Sequence, residues 1–309
     1  MTDADGAPPT LPTHGRFSYS PIRGRPAYAW PGGQQLAFYV ALNLEHFAFG
    51  EGEGAALVPG AATRQPDVLN WSWREWGNRV GAWRLLEMFD ALSLPVTLLV
   101  NGALYAHCPE LVAAYRARGD EVVGHGRTNS ERQGALDEAT ERALIRESAA
   151  VIARAEGAPP RGWLGPWISE SRATPDLLAE EGFGYVLDWC MDDQPVWMRT
   201  RGGGRLLAVP YPQELNDIPA VVDRKVEGRA FAEMIVDAFE EMLAQAERGT
   251  PLVMGVALHS YIVGQPHRLR PLRRALAHVA ARRDRVWMAT AGAISDHVRT
   301  LPPGVVPGD

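Results

Sequence analysis

Apolar residues along this chain fall into short unbroken runs separated by stretches of helical spacing. The runs are Leu36–Leu44, Pro95–Val100, Glu121–Val123, Arg161–Leu164, Tyr185–Leu187, Leu206–Val209, Leu252–Leu258 and Arg285–Met288. Continuous apolar runs of this length suit strands buried on both faces of a parallel sheet. Between them Val80, Trp83, Leu86 and Phe89 recur at helical spacing, as do Leu111, Val112 and Tyr115 before Gly119. A longer helix is predicted from an Asp137 cap to Gly157, another from Thr174-Pro175 to Gly182, and more over 229–247, 271–282 and 291–299. Strand alternating with helix predicts right-handed crossovers and one closed or nearly closed barrel. Two stretches break the pattern. The Gly/Pro-rich segment 47–78 is predicted to be a long functional loop, and 189–204 to join two strands without a helix.

The ends frame a single domain. Residues 1–35 carry six prolines and no period, which predicts an extended arm over the fold or a neighbouring subunit. The barrel is expected over 36–300, with a disordered tail at 301–309.

Composition narrows the class. The chain has 309 residues, 46% hydrophobic and 22% charged, with a net charge of −6. That balance predicts a folded protein and argues against nucleic-acid or anionic-membrane partners. No apolar run is long enough for a membrane span, and the opening residues lack the pattern of a signal peptide, so a cytoplasmic protein is expected. Two cysteines, Cys108 and Cys190, are too few for a disulfide framework. Eight of the ten tryptophans form two clusters, one from Trp71 to Trp83 and one from Trp163 to Trp197.

In a parallel barrel, chemistry gathers at the carboxyl ends of the strands. Asn43, Glu45 and His46 follow the first run, Asn101 the second, His125 and Asn129 the third. Gly165-Pro166-Trp167 follows the fourth run and Asp188, Asp192 and Asp193 the fifth. Gln213, Glu214, Asn216 and Asp217 follow the sixth, and His259 the seventh. Strand period places Asn43 and Glu45 on one face. A carboxylate at a low-dielectric mouth is expected to have a raised pKa, which would let Glu45 take a proton from water. His125 sits between two glycines, where backbone approaches a ligand closely; His46 is a further candidate. A zinc site normally needs three His, Cys or acidic ligands, and Glu45, His125 and Asn129 are a poor set for one.

These rim segments, in this order, resemble the polysaccharide deacetylase superfamily, also called the NodB-homology or carbohydrate esterase family 4 fold. The resemblance spans about 35–298 and rests on Asn43-Leu44-Glu45, His125 to Asn129, Gly165-Pro166-Trp167 and Leu258-His259. It implies a distorted (β/α) barrel, an α/β fold, and hydrolysis of an amide carbon–nitrogen bond. In metal-dependent members the first acid is the base, while the second acid and both histidines bind zinc. Here Asn43 and Asn129 stand at the first-acid and second-histidine positions. Those changes, with Met191 to Pro195, Leu215-Asn216-Asp217 and Val263 to Pro266, are similar to the cofactor-independent allantoinases and cyclic imide hydrolases.

The expectation is therefore a hydrolase opening a small cyclic amide, imide or ureide with no required cofactor. Glu45 would activate water, His125 would orient it or hold the oxyanion, and His259 would protonate the leaving nitrogen. Asn43, Asp192, Asp193, Asn216 and Asp217 would bind the ring, between walls of Trp73, Trp163 and Trp167. The alternative is an N-deacetylase of an amino sugar or peptidoglycan fragment, with one Zn2+ or other divalent ion on Glu45, His125 and Asn129. A third reading is a catalytically inert ligand-binding barrel. The partner expected is a small-molecule substrate, and the resemblance implies a homotetramer.

Overall fold

The computed structural model describes residues 13–57 and 66–308. Nine strands form one curled sheet: β1 (Leu36–Leu44), β2 (Val96–Val100), β3 (Glu121–Gly124), β4 (Gly162–Trp163), β5 (Tyr185–Val186), β6 (Val196–Arg199), β7 (Arg205–Ala208), β8 (Leu252–His259) and β9 (Val286–Met288). Their order is β6-β7-β5-β4-β3-β2-β1-β8, with β9 beside the start of β1. All pairings are parallel except β6 with β7. β6 and β8 are the sheet's two ends. The seam along β8 carries two backbone contacts, Val253 N–H to the Asp193 carbonyl and Ala257 N–H to the Leu215 carbonyl. The result is the α/β architecture that the alternating pattern predicts, curled into a half-barrel more open than the closed or nearly closed barrel expected.

β1 explains how the barrel carries both a core and a site. All nine of its residues are buried, flanked by β2 and β8. Leu36, Phe38, Val40, Leu42 and Leu44 face the outer helices, whereas Ala37, Tyr39 and Ala41 face the barrel interior. β8 divides likewise, with Leu252, Met254, Val256 and Leu258 outward and Val253 and Ala257 inward. The outer layer includes the helices Ala82–Leu92, Pro109–Ala117, Gly228–Ala246 and Pro266–Ala280. The helix Ala291–Thr300 and Trp30 close the amino end, where the Trp30 indole donates to the Leu252 carbonyl at 3.0 Å. The carboxyl end is left for the site.

Several expectations need correction. The helix expected to start at Pro271 begins at Pro266, and Pro271 lies inside it. The loop of 47–78 ends early in α1 (Val68–Trp76), whose first turn is capped by the Asp67 side chain accepting from Asn70 N–H. Its residues 58–65 lie outside the described residues. The 189–204 segment contains β6, an edge strand hidden by its brevity and its neighbouring Pro195. The tail is not disordered over 301–308: Val306 is buried and the Pro307 carbonyl accepts from Trp197 N–H at 2.8 Å. The arm lies over its own barrel from residue 13 on, held by Arg16 to Asp176 at 2.5 Å and Arg25 to Asp192 at 2.6 Å. Residues 1–12 of the arm lie outside the described residues. Among the described residues no helix is long and apolar enough to cross a membrane.

Candidate active site

Strand register assembles the site. Asn43 pairs with His259 across β1 and β8, so Glu45, two residues further on the same face, projects over the His259 ring. On the other side Leu44 pairs with Val100 and Val100 with Gly124, which brings His125 beside Glu45. Asn101 ties these strand ends together by accepting from His46 N–H at 2.8 Å and donating to the His125 carbonyl. Gly126 completes the turn with φ +69°, and a Cβ there would lie 2.6 Å from Pro166 Cγ. Only glycine meets both demands.

Glu45 is buried and held from four sides. Its Oε1 accepts from Asn129 Nδ2 at 2.8 Å and lies 3.5 Å from both His125 Nε2 and His259 Nε2. Its Oε2 accepts from the Tyr261 hydroxyl at 3.0 Å, and its carbonyl accepts from Asn78 at 2.8 Å. His259 Nδ1 meets Asp217 Oδ1 at 2.6 Å, and the His259 backbone N–H donates to Asp217 Oδ2 at 2.8 Å. His125 Nδ1 meets the Leu164 carbonyl at 2.7 Å. A carbonyl only accepts, so Nδ1 carries a proton and the neutral ring keeps its lone pair on Nε2. That Nε2 is buried without a hydrogen-bond partner, as is Asn129 Oδ1.

These contacts reverse the expected electrostatics. Burial pushes the Glu45 carboxyl up, but the charge of His259 beside it outweighs this and holds the pKa at about 2. Burial pushes His259 down, while Asp217 and Glu45 lift it to about 10. The expectation of a raised Glu45 is thus overturned. At neutral pH Glu45 is an anion and His259 a cation. Glu45 stabilises the fold above its ordinary 4.5, an effect lost as pH falls through about 2. His259 stabilises it below its ordinary 6.5, an effect lost as pH rises through about 10.

A cavity of about 180 Å³ opens onto this group, lined by Asn43, Glu45, His125, Asn129, Asn216 and His259 together with Leu164, Ile168, Ile218, Tyr211 and Trp167. Trp167 and Ile168 both have positive φ, 65° and 52°, a strained turn for bulky residues. The Trp167 indole is anchored by donating to the Asn129 carbonyl at 3.0 Å.

The cavity holds some of the expected ligand contacts and not others. Asn43 lines it but donates to the Tyr211 hydroxyl at 3.0 Å and the Leu258 carbonyl at 3.2 Å. Asn216 lines it with its Oδ1 accepting from Ile218 N–H. Asp217 is spent on His259 rather than on a ligand. Asp192 and Asp193 are elsewhere: Arg25 of the arm claims Asp192, and Asp193 sits beside the start of β8, at the opposite end from the site. Trp163 is core, packed against Phe183 with its indole on Gln133. Trp73 packs on Tyr261, 4.8 Å between ring centroids, behind the cavity wall. His46 turns away to stack near His107. Tyr261, Tyr211 and Asn78 were not singled out from the sequence. Tyr261 was within reach, because it lies two residues past His259.

Glu45, His125 and Asn129 do not fit a tight metal. The Asn129 group facing Glu45 is its amide N–H, a donor, where a second imidazole lone pair would be needed. Among the described residues no group of three His, Cys, Asp or Glu side chains, Glu45 with His125 and His259 included, has the geometry to hold an ion.

No family model matches the chain. A Schizosaccharomyces pombe protein named "Putative polysaccharide deacetylase" is 28% identical over 294 residues, covering 86% of this chain and 91% of that one. The crystal structure of Puue allantoinase superposes with a TM-score of 0.81 at 27% identity, covering 91% of this chain and 96% of the other. A Pseudomonas aeruginosa PAO1 structure named "probable polysaccharide deacetylase" gives 0.79 at 28% identity, over 91% and 96%. With this barrel, this rim and these relatives, the chain is similar to the polysaccharide deacetylase superfamily of hydrolases.

Proposed function

We propose that the protein hydrolyses a carbon–nitrogen bond of a small cyclic amide, imide or ureide without a tightly held metal. One observation carries this reading: a carboxylate held between two imidazoles at the base of a small cavity walled by Leu164, Trp167, Ile168, Ile218 and Pro219. A space of about 180 Å³ suits a small ring better than a length of polymer. The likeness to Puue allantoinase supports the same class.

A carboxyl held near 2 is a weak base, so proton acceptance passes to His125 Nε2, which has no hydrogen-bond partner while Nδ1 donates to the Leu164 carbonyl. The attacking water is one that donates to that nitrogen from the cavity side, next to Glu45. His125 takes its proton as the oxygen attacks the amide carbon, and the Glu45 charge stabilises the imidazolium formed. His259, already protonated, donates from Nε2 to the developing oxyanion and then to the leaving nitrogen. A well-placed donor of this kind contributes about 3 kcal/mol.

The test is a panel of hydantoin, succinimide, allantoin and N-acetylated amino sugars, using protein never exposed to nickel or added zinc. Ring opening that survives a chelator, with far less than one zinc per chain by elemental analysis, is the expected result. Hydrolysis confined to acetylated sugars, or one zinc per chain whose removal stops turnover, would refute it. The second reading, N-deacetylation, is supported by the names of the fission-yeast and Pseudomonas relatives and by a further cavity that shares Trp167 with the first.

A further inference from the structure

Beyond Trp167 lies a second cavity of about 330 Å³, lined by Trp71, Arg74, Arg132, Asp67 and the loop from Ala48 to Ala56 with Glu51 and Glu53. Arg74 is its unusual member. It stands on α1, only 7% exposed, with its guanidinium 4.4 Å over the Phe47 ring. Gly54 lies so close that any Cβ there would fall on Nη1. Its Nε is buried without a hydrogen-bond partner, and it forms no ion pair among the described residues.

A buried guanidinium normally has an anion. The acids nearby are otherwise engaged. Asp67 caps α1, accepting from both Asn70 nitrogens, and Glu53 pairs with Arg132 at 2.7 Å. Glu51 is exposed on the loop. The Arg74 charge interacts with Tyr261 and Asp67 and, less strongly, with Glu45 of the reaction centre.

We propose that Arg74 forms an anion subsite beside the reaction centre, which takes a carboxylate carried by the substrate while its ring faces Glu45. This rests on the ring-opening reading and narrows it to cyclic amides bearing an acidic substituent. The planar fork of arginine matches a carboxylate by two parallel hydrogen bonds.

Hydantoin-5-acetate and its neutral amide, hydantoin-5-acetamide, share a ring and differ in charge at one end. Calorimetric titration of the full chain should show the acid binding roughly tenfold or more tighter than the amide. In Arg74→Gln that ratio should fall to near one. Arg74→Lys, which keeps the charge without the fork, should give an intermediate ratio, and it carries the test alone if the glutamine variant fails to fold. A wild-type chain that does not distinguish the probes, or variants that keep the full preference, would overturn the subsite. Turnover separates this from the reaction. Acid-selective binding with neither ring opened supports the subsite and counts against ring opening. Ring opening of both probes at equal affinity supports the reaction and overturns the subsite.

Discussion

Glu45→Gln is expected to lower kcat/KM by about 10³-fold or more, some 4 kcal/mol of transition-state stabilisation. The substitution keeps the shape of the side chain and removes the one negative charge set 3.5 Å from both imidazoles. Without it the imidazolium formed on His125 loses its counter-charge, and His259 loses part of what holds its proton. Asn129 can still donate to the remaining oxygen, so circular dichroism and thermal melting should report a folded chain. A well-folded variant with near-normal turnover would remove Glu45 from the reaction.

Asp217→Asn is expected to cost about 10² to 10³-fold in kcat/KM and to reshape the pH profile. Asp217 accepts from both the ring and the backbone N–H of His259, at 2.6 and 2.8 Å. It sets the ring's orientation and, with Glu45, lifts the pKa to about 10. The proton donor is therefore present below about 10 and lost above it, so the wild-type activity should decline on the alkaline side near that value. An amide at 217 carries no charge, the imidazolium loses its main support, and the alkaline limb moves to lower pH. Comparing kcat/KM across pH for both proteins checks this. A limb that stays in place would mean that His259 is not the donor.

The order of strands and helices was readable because each strand except β6 falls on a short apolar run of the sequence. β1 matches the run Leu36–Leu44 at both ends, and the helix capped by Asp137 ends at Glu156, one residue before Gly157. Glu45, His125 and His259 could be placed at one rim because they directly follow parallel strands. The same rule failed for Asp192 and Asp193. Past β5 the chain leaves the rim toward an antiparallel edge strand, and a residue after a strand marks the rim only while the next connection is a parallel crossover. Trp163 and Trp73 show a second limit, since the sequence does not distinguish an aromatic behind a wall from one in it. The charge state of Glu45 was illegible for a third reason. It depends on the distance to His259, more than 200 residues away in the chain.

The alternation along β1 separates two kinds of requirement. Its even-numbered positions bind the helical layer, whereas the odd-numbered ones end in Asn43 and Glu45. A substitution at 43 or 45 leaves the outer hydrophobic layer untouched. A barrel built this way can exchange one hydrolytic chemistry for another by editing its mouth, while the scaffold that sets its folding stays as it was.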